Sequence, residues 1–301
     1  MTRRQFLHST AALGLASPAS SSLFAADSAP KKRDLKKGYM LNSFPGKDLP
    51  LLEKFKIIKA AGFDGVEPQS HQPQDEVLRA RDETGLLIPS VSCGHDSRAL
   101  SHADPNERDK GVEGVKQALR DAKRYGASSI LVVPGGVDKD TSYADAYQRV
   151  QTALRKAVPL AEELGVKLAL ENVWNHFLLS PLEAARFVDE FNSPAVGWHF
   201  DVGNVIFLGQ PEQWIRILGK RIQKLHIKEY SRKKLNEKGL RAGFSVEYLE
   251  GDNDWPAVMK ALDDIGYHGW GIAEPAWRPE GVEPADRLKQ IAQKMDQIFA
   301  L

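Results

Sequence analysis

Short apolar runs alternate along this chain with longer stretches whose apolar positions recur every three or four residues. The runs suit strands buried on both faces, and the stretches suit amphipathic helices packed over them. Strands are predicted at residues 38–43, 65–67, 87–93, 129–133, 166–171, 195–201, 222–227 and 269–274. Helices are predicted at 49–61, 74–84, 106–125, then one long helix running to 164, and at 181–191, 211–218, 254–265 and 284–299. Gly62, Gly85 and Gly165 stand where helix C-caps are needed, and Ser180-Pro181 reads as an N-cap followed by an N1 proline. Eight strand–helix repeats from about residue 37, with no Pro/Gly-rich linker between them, predict one (β/α)₈ barrel over 37–301. A doubly wound sheet is the alternative.

The first residues do not follow this rhythm. Thr2-Arg3-Arg4-Gln5-Phe6-Leu7 opens a weakly apolar stretch that runs to Ala26. It is too short, and too broken by serines and Pro18, to span a membrane. It resembles a twin-arginine export signal over 1–26, followed by a basic linker over 27–36. That resemblance implies a periplasmic or otherwise exported protein, with the twin-arginine machinery as a partner and any cofactor loaded before export. A tail with two accidental arginines is the other reading.

Composition narrows the function. The chain has 301 residues, 42% hydrophobic and 27% charged, ample for a sizeable core. Its net charge is +1, and loss of Arg3 and Arg4 would make it −1. Such a balance lacks the basic footprint of a nucleic-acid binder or of a polybasic membrane patch. The single cysteine, Cys93, excludes internal disulfides and a Cys-rich metal site.

Candidate chemistry collects at the predicted strand ends. Glu171 ends the fifth strand, Asp201 the sixth and Glu274 the eighth, while His226 lies near the end of the seventh. In a barrel these ends converge on the mouth where active sites are built. Side chains alternate along a strand, so Leu168, Leu170 and Leu225 would pack outward while Glu171 and His226 turn inward. Three carboxylates so close would repel and raise one another's pKa values, and a divalent cation removes that problem. Three carboxylates with one imidazole form a largely hard ligand set, favouring Mn²⁺, with Mg²⁺ and Co²⁺ the other candidates, over a structural zinc. Salt bridges at the mouth are the alternative for any one of the four.

The motifs Gly62-Phe63-Asp64-Gly65-Val66-Glu67, Leu170-Glu171-Asn172-Val173-Trp174-Asn175, Phe200-Asp201-Val202-Gly203-Asn204, Leu225-His226-Ile227-Lys228-Glu229 and Glu250-Gly251-Asp252-Asn253-Asp254-Trp255, with Glu274 after them, resemble the xylose-isomerase-like barrel superfamily in its sugar (phosphate) isomerase/epimerase branch. The resemblance runs from about Lys37 to the C-terminus. It implies one divalent metal held by Glu171, Asp201, His226 and Glu274, with Glu171 and Glu274 also the acid/base pair. Proton transfer beside a carbonyl passes through an enediolate, whose charge a divalent cation stabilises. Two departures from the branch stand out. Asn204 replaces a common histidine, changing a substrate contact, and Glu229 replaces a commoner aspartate, lengthening one.

Further candidates for a small sugar-like substrate are Glu67, His95, Trp174, His176, Asn204, Lys228 and Arg232. Lys228 shares strand parity with His226, and Arg232 falls where related epimerases hold the substrate. Each has a plainer role available, such as a solvated lysine or a tryptophan filling the rim. His199 is expected to be a hydrogen-bonded interior residue. The leading expectation is a metal-dependent isomerase or 3-epimerase of a ketose or related sugar. A lyase or hydratase acting on 3-keto sugars would use the same site. An apurinic endonuclease would need further histidines, Asn204 filling one of their places, and a non-catalytic sugar-binding barrel would not need two opposed carboxylates.

Overall fold

The computed structural model describes residues 33–46, 48–276 and 279–301. The export-type segment over 1–26, and the linker as far as residue 32, lie outside the described residues.

Eight parallel strands follow one another around the sheet: β1 Leu35–Met40, β2 Gly65–Glu67, β3 Ser90–Ser92, β4 Ser129–Val132, β5 Lys167–Glu171, β6 Val196–Asp201, β7 Ile222–Ile227 and β8 Gly269–Ala273. Their order is β2-β1-β8-β7-β6-β5-β4-β3, and parallel bridges Gly65↔Leu87 and Gln69↔Ser92 join the two ends. The result is a (β/α)₈ barrel, as the alternating pattern predicts.

Among the described residues ten helices cover it: α1 Leu51–Ala60, α2 Gln74–Thr84, α3 Pro105–Tyr125, α4 Tyr143–Arg155, α5 Val158–Leu164, α6 Pro181–Asp189, α7 Pro211–Leu218, α8 Arg232–Lys238, α9 Trp255–Asp264 and α10 Pro284–Phe299. Local chemistry sets their starts. Asp104, Ser142, Ser180 and Asp254 each accept a backbone N–H of the first turn, satisfying donors that a helix leaves open. Among the described residues no helix is long and apolar enough to cross a membrane.

Strand alternation then divides the interior in two. Leu168, Leu170, Trp198, Phe200 and Leu225 are fully buried in the apolar layer beneath the helices. Burial of a side chain of this size contributes roughly 1.5–3 kcal/mol. The other strand face, inside the barrel, carries Glu67, Ser90, Ser129, His199, Lys224 and His226, all buried and polar.

Three predicted elements differ by more than two residues at an end, and α8 stands where no helix is predicted. The long helix ending at residue 164 is two helices, because Pro159 lacks an N–H and sits instead in the first turn of α5. The third strand pairs regularly only over Ser90–Ser92, just after Pro89. The first strand begins at Leu35 rather than Gly38, and Arg33, within the predicted linker, donates to Asp263 at 3.0 Å and to the Phe299 carbonyl at 2.9 Å.

Candidate metal centre at the barrel mouth

A register shift builds the centre. Between β6 and β7 the pairing runs Trp198↔Ile222 and then His199↔Lys224, leaving Gln223 as the extra residue. Without that bulge Asp201 would pair with Leu225. With it Asp201 pairs with His226, and both turn inward. Asn172, one residue past the end of β5, fastens the neighbouring edge. Its amide donates to the Asp201 carbonyl at 2.7 Å and accepts from the Asp201 N–H at 3.0 Å and the Trp198 indole at 3.1 Å.

Two motif glycines permit the close approach of chains here. A Cβ on Gly203 would stand 2.8 Å from the Lys228 carbonyl oxygen, and one on Gly251 would stand 2.5 Å from the Tyr230 carbonyl oxygen. Any other residue would force these loops apart.

Glu171 Oε1 lies 2.9 Å and Glu274 Oε2 3.0 Å from His226 Nδ1. The Lys228 ammonium is 2.8 Å from Asp201 Oδ2 and 2.7 Å from Glu274 Oε2. One donor atom from each of Glu171, Asp201, His226 and Glu274 falls within 4.8 Å of the others, a spacing that could hold one metal ion. The oxygens meet a second condition. Asp201 Oδ1 accepts the Asn204 N–H at 2.8 Å, but Asp201 Oδ2 and Glu274 Oε2 are buried and accept no well-directed hydrogen bond, although Lys228 is at ion-pair range of both. Buried acceptors left so are costly unless a cation takes them, and the residues therefore fit a divalent ion.

The charges show the same strain. Burial pushes the Asp201 carboxyl up to about 7, against the pull of Lys228, and burial raises Glu171 as well. Burial also acts on Glu274, but there Lys228 and His226 outweigh it and hold the carboxyl well below its ordinary value. For His226, burial is outweighed by Glu67, Glu274 and Glu171, which keep the imidazole protonated to higher pH than usual. Lys228 is held charged by Asp201 and Glu274 despite its burial.

Residues 55–298 match the family described as xylose isomerase-like TIM barrel. The chain belongs to that family. Among its relatives, inosose dehydratase from Clostridium perfringens is 23% identical over 263 residues, covering 80% of this chain and 87% of its own. Among solved structures, D-psicose 3-epimerase in the presence of D-fructose superposes with a TM-score of 0.73 at 18% identity, covering 87% of this chain and 98% of that one. The 3-keto-D-glucoside 4-epimerase from E. coli does so with a TM-score of 0.72 at 20% identity, covering 88% and 98%. At such identities the structural likeness concerns the fold.

Above the cluster opens a cavity of about 460 Å³. Glu171 and Glu274 line it, whereas Asp201 and His226 lie behind them. Of the other candidate substrate residues, His95, Trp174, Asn204 and Lys228 also line it. Trp174 is held in place by its indole N–H, which donates to the Asn204 carbonyl at 2.9 Å, and by the Phe244 ring at 4.7 Å.

The remaining residues sit elsewhere. His176 lines an adjacent apolar pocket together with Phe177 and Leu208. Arg232 starts α8, and its guanidinium donates to the Ile206 and Gly209 carbonyls at 3.2 and 3.3 Å, outside the cavity lining. Glu67 lies below the cluster, fully buried, 3.1 Å from His226 Nε2.

Glu229 is not a lengthened substrate contact. Its carboxylate accepts the Leu249 N–H and the Trp255 indole at 2.8 Å and the Asn253 N–H at 3.3 Å, organising the loop before α9. His199 does not make the expected hydrogen bond. It is fully buried with neither ring nitrogen partnered, while Ser90 and His226 bond the two oxygens of Glu67. Burial, with His226 and Lys224 close by, lowers its pKa well below the ordinary value, so it is neutral.

The cavity also holds residues that the motifs did not reveal: Asn42, Gln69, Arg98, Arg241 and Phe244. Gln69 lies in an isolated bridge just past β2 and the others in short 3₁₀ turns, where no periodicity marks a residue's direction.

Proposed function

We propose that the protein is a divalent-metal-dependent isomerase or epimerase of a ketose or related sugar, working by proton transfer beside a carbonyl. The observation that carries this reading is the arrangement of the cluster: Glu171 and Glu274 line the cavity, while Asp201 and His226 are fully buried behind them. Binding alone does not need two converging carboxylates at the surface a substrate would touch.

In this reading one of the two glutamates takes the proton from the carbon next to the carbonyl, and the other returns it. A divalent cation held by Glu171, Asp201, His226 and Glu274, Mn²⁺ being the best match to three carboxylates and one imidazole, would supply positive charge for the enediolate oxygens. Lys228, 2.7 Å from Glu274, fixes that carboxylate and can donate to a substrate oxygen. Trp174 and Phe244 offer an apolar wall for the C–H face of a sugar. The cavity is in the size range of small-molecule sites.

One observation supports a lyase reading, namely the inosose dehydratase aligned over most of the chain. Glu171 or Glu274 would remove the same proton, and the neighbouring carbon would then lose its hydroxyl as water. Incubation of the metal-loaded protein with a panel of ketoses and 3-keto sugars, followed by NMR and mass spectrometry, tests the proposal. An epimer or isomer of unchanged mass supports proton transfer with return, a product lighter by one water supports the lyase, and turnover of neither class overturns both. Arg3 and Arg4 support export by the twin-arginine route, which would favour unphosphorylated substrates.

A further inference from the structure

Branched aliphatic residues usually fill the layers of such a barrel. Beneath the proposed metal site this one instead holds Glu67, Ser90, His199 and Lys224, all buried. We propose that Glu67 is a positioning residue: it holds the Nε2–H of His226 and so turns Nδ1 toward the proposed cation. The inference rests on reading His226 as a ligand.

The geometry supports it from both sides of the ring. Glu67 Oε1 stands 3.1 Å from His226 Nε2, while Glu171 and Glu274 stand 2.9 and 3.0 Å from Nδ1. Neither nitrogen faces solvent, so each is assigned by the carboxylate it meets. Glu67 is itself held, since the Ser90 hydroxyl donates to its other oxygen. The His199 ring packs edge-on against His226 at 4.2 Å and, having no hydrogen-bond partner, does not compete for Glu67. A carboxylate on the far nitrogen of a metal-bound imidazole fixes its tautomer and strengthens it as a ligand.

The same residues admit a rival. Glu67, His199 and His226 each offer a donor atom within 4.8 Å of the others, the spacing of a second cation site. With His226 Nδ1 facing the proposed cation, a second ion on Nε2 would require the imidazole to give up both its protons. A proton between Glu67 and His226 avoids that requirement.

The test is Mn²⁺ titration of the whole protein and of Glu67→Gln, Glu67→Ala and His226→Ala, with ions bound per chain counted in each. Glu67→Gln keeps shape and an acceptor oxygen, so it guards against simple misfolding. NMR of the ¹⁵N-labelled, Mg²⁺-loaded wild type reads the imidazole directly. The expected result is one ion per chain, a His226 proton on Nε2, and affinity about 10–100-fold weaker in Glu67→Ala. Glu67→Gln should lose less. Unchanged affinity in both Glu67 variants, with His226→Ala impaired, overturns the positioning role and leaves the site standing. Unchanged affinity in His226→Ala overturns the site itself. Two ions per wild-type chain, falling to one in Glu67→Ala, establishes the second cation site and overturns the inference.

Discussion

The Lys228 ammonium sits 2.7 Å from Glu274 Oε2, inside the carboxylate cluster rather than in solvent. It is also 2.8 Å from Asp201 Oδ2, so one fixed charge serves two buried acids. That position lets the barrel fold around its acids before any divalent ion arrives. Removing one member of a buried ion pair costs about 3–5 kcal/mol, because the partner is left uncompensated. Lys228→Met should therefore lower the stability of the metal-free protein by about that much. Added Mn²⁺ should raise the melting temperature more in the variant than in wild type. Equal metal-free melting temperatures would remove Lys228 from this role.

The pH dependence follows from Asp201. Its folded pKa, pushed up to about 7 by burial, exceeds its unfolded value, so its contribution is complete below the unfolded value and is lost as pH rises through about 7. Glu229, raised to about 7 by burial, has the same sign but lies outside the proposed ligand set. In a chelator the melting temperature should fall between about pH 4 and pH 7. With Mn²⁺ present, the Asp201 part of that fall should vanish and the Glu229 part remain. A chelated protein that grows steadily more stable over this range would contradict the assignment.

Glu229 gives a control outside the cluster. Glu229→Ala strands the Leu249 and Asn253 N–H groups and the Trp255 indole. The Trp255 indole is the buried one of the three, and stranding a buried donor costs about 1–3 kcal/mol. Stability measured by denaturant should fall by at least the lower figure, while Mn²⁺ affinity stays within about threefold, since no proposed ligand bonds to Glu229. A large loss of metal affinity with unchanged stability would reverse the role given to it.

The strand rhythm and the four acidic or imidazole strand ends were legible because both rest on alternation and repeat. Glu171, Asp201 and His226 stand on strands, where parity settles direction, and Glu274 follows the last residue of β8. Even there, pairing Asp201 with His226 depends on the bulge at Gln223, which no local pattern announces. Loop residues were less legible. Arg232 and Arg241 belong to one basic stretch, yet α8 turns the first toward the Ile206 and Gly209 carbonyls while the second lines the cavity. His199 defeated the rule that buried polar groups find partners, since it is fully buried and neither ring nitrogen has one. The break before α5 was visible in Pro159, although helical periodicity continues across it.

The central claim is that Glu171 and Glu274 move protons as well as hold a metal. Exchange of the substrate's proton next to the carbonyl with D₂O, followed by NMR on metal-loaded protein, tests it most directly. Glu171→Gln and Glu274→Gln retain a coordinating oxygen and lose the basic one, so Mn²⁺ should still bind with modest loss. Turnover should fall by about 10²–10⁴ in each. If the two carboxylates act from opposite faces, each variant should still exchange the proton from one face alone. Near-normal turnover in either variant, with metal bound, would make that glutamate a ligand only and contradict the mechanism.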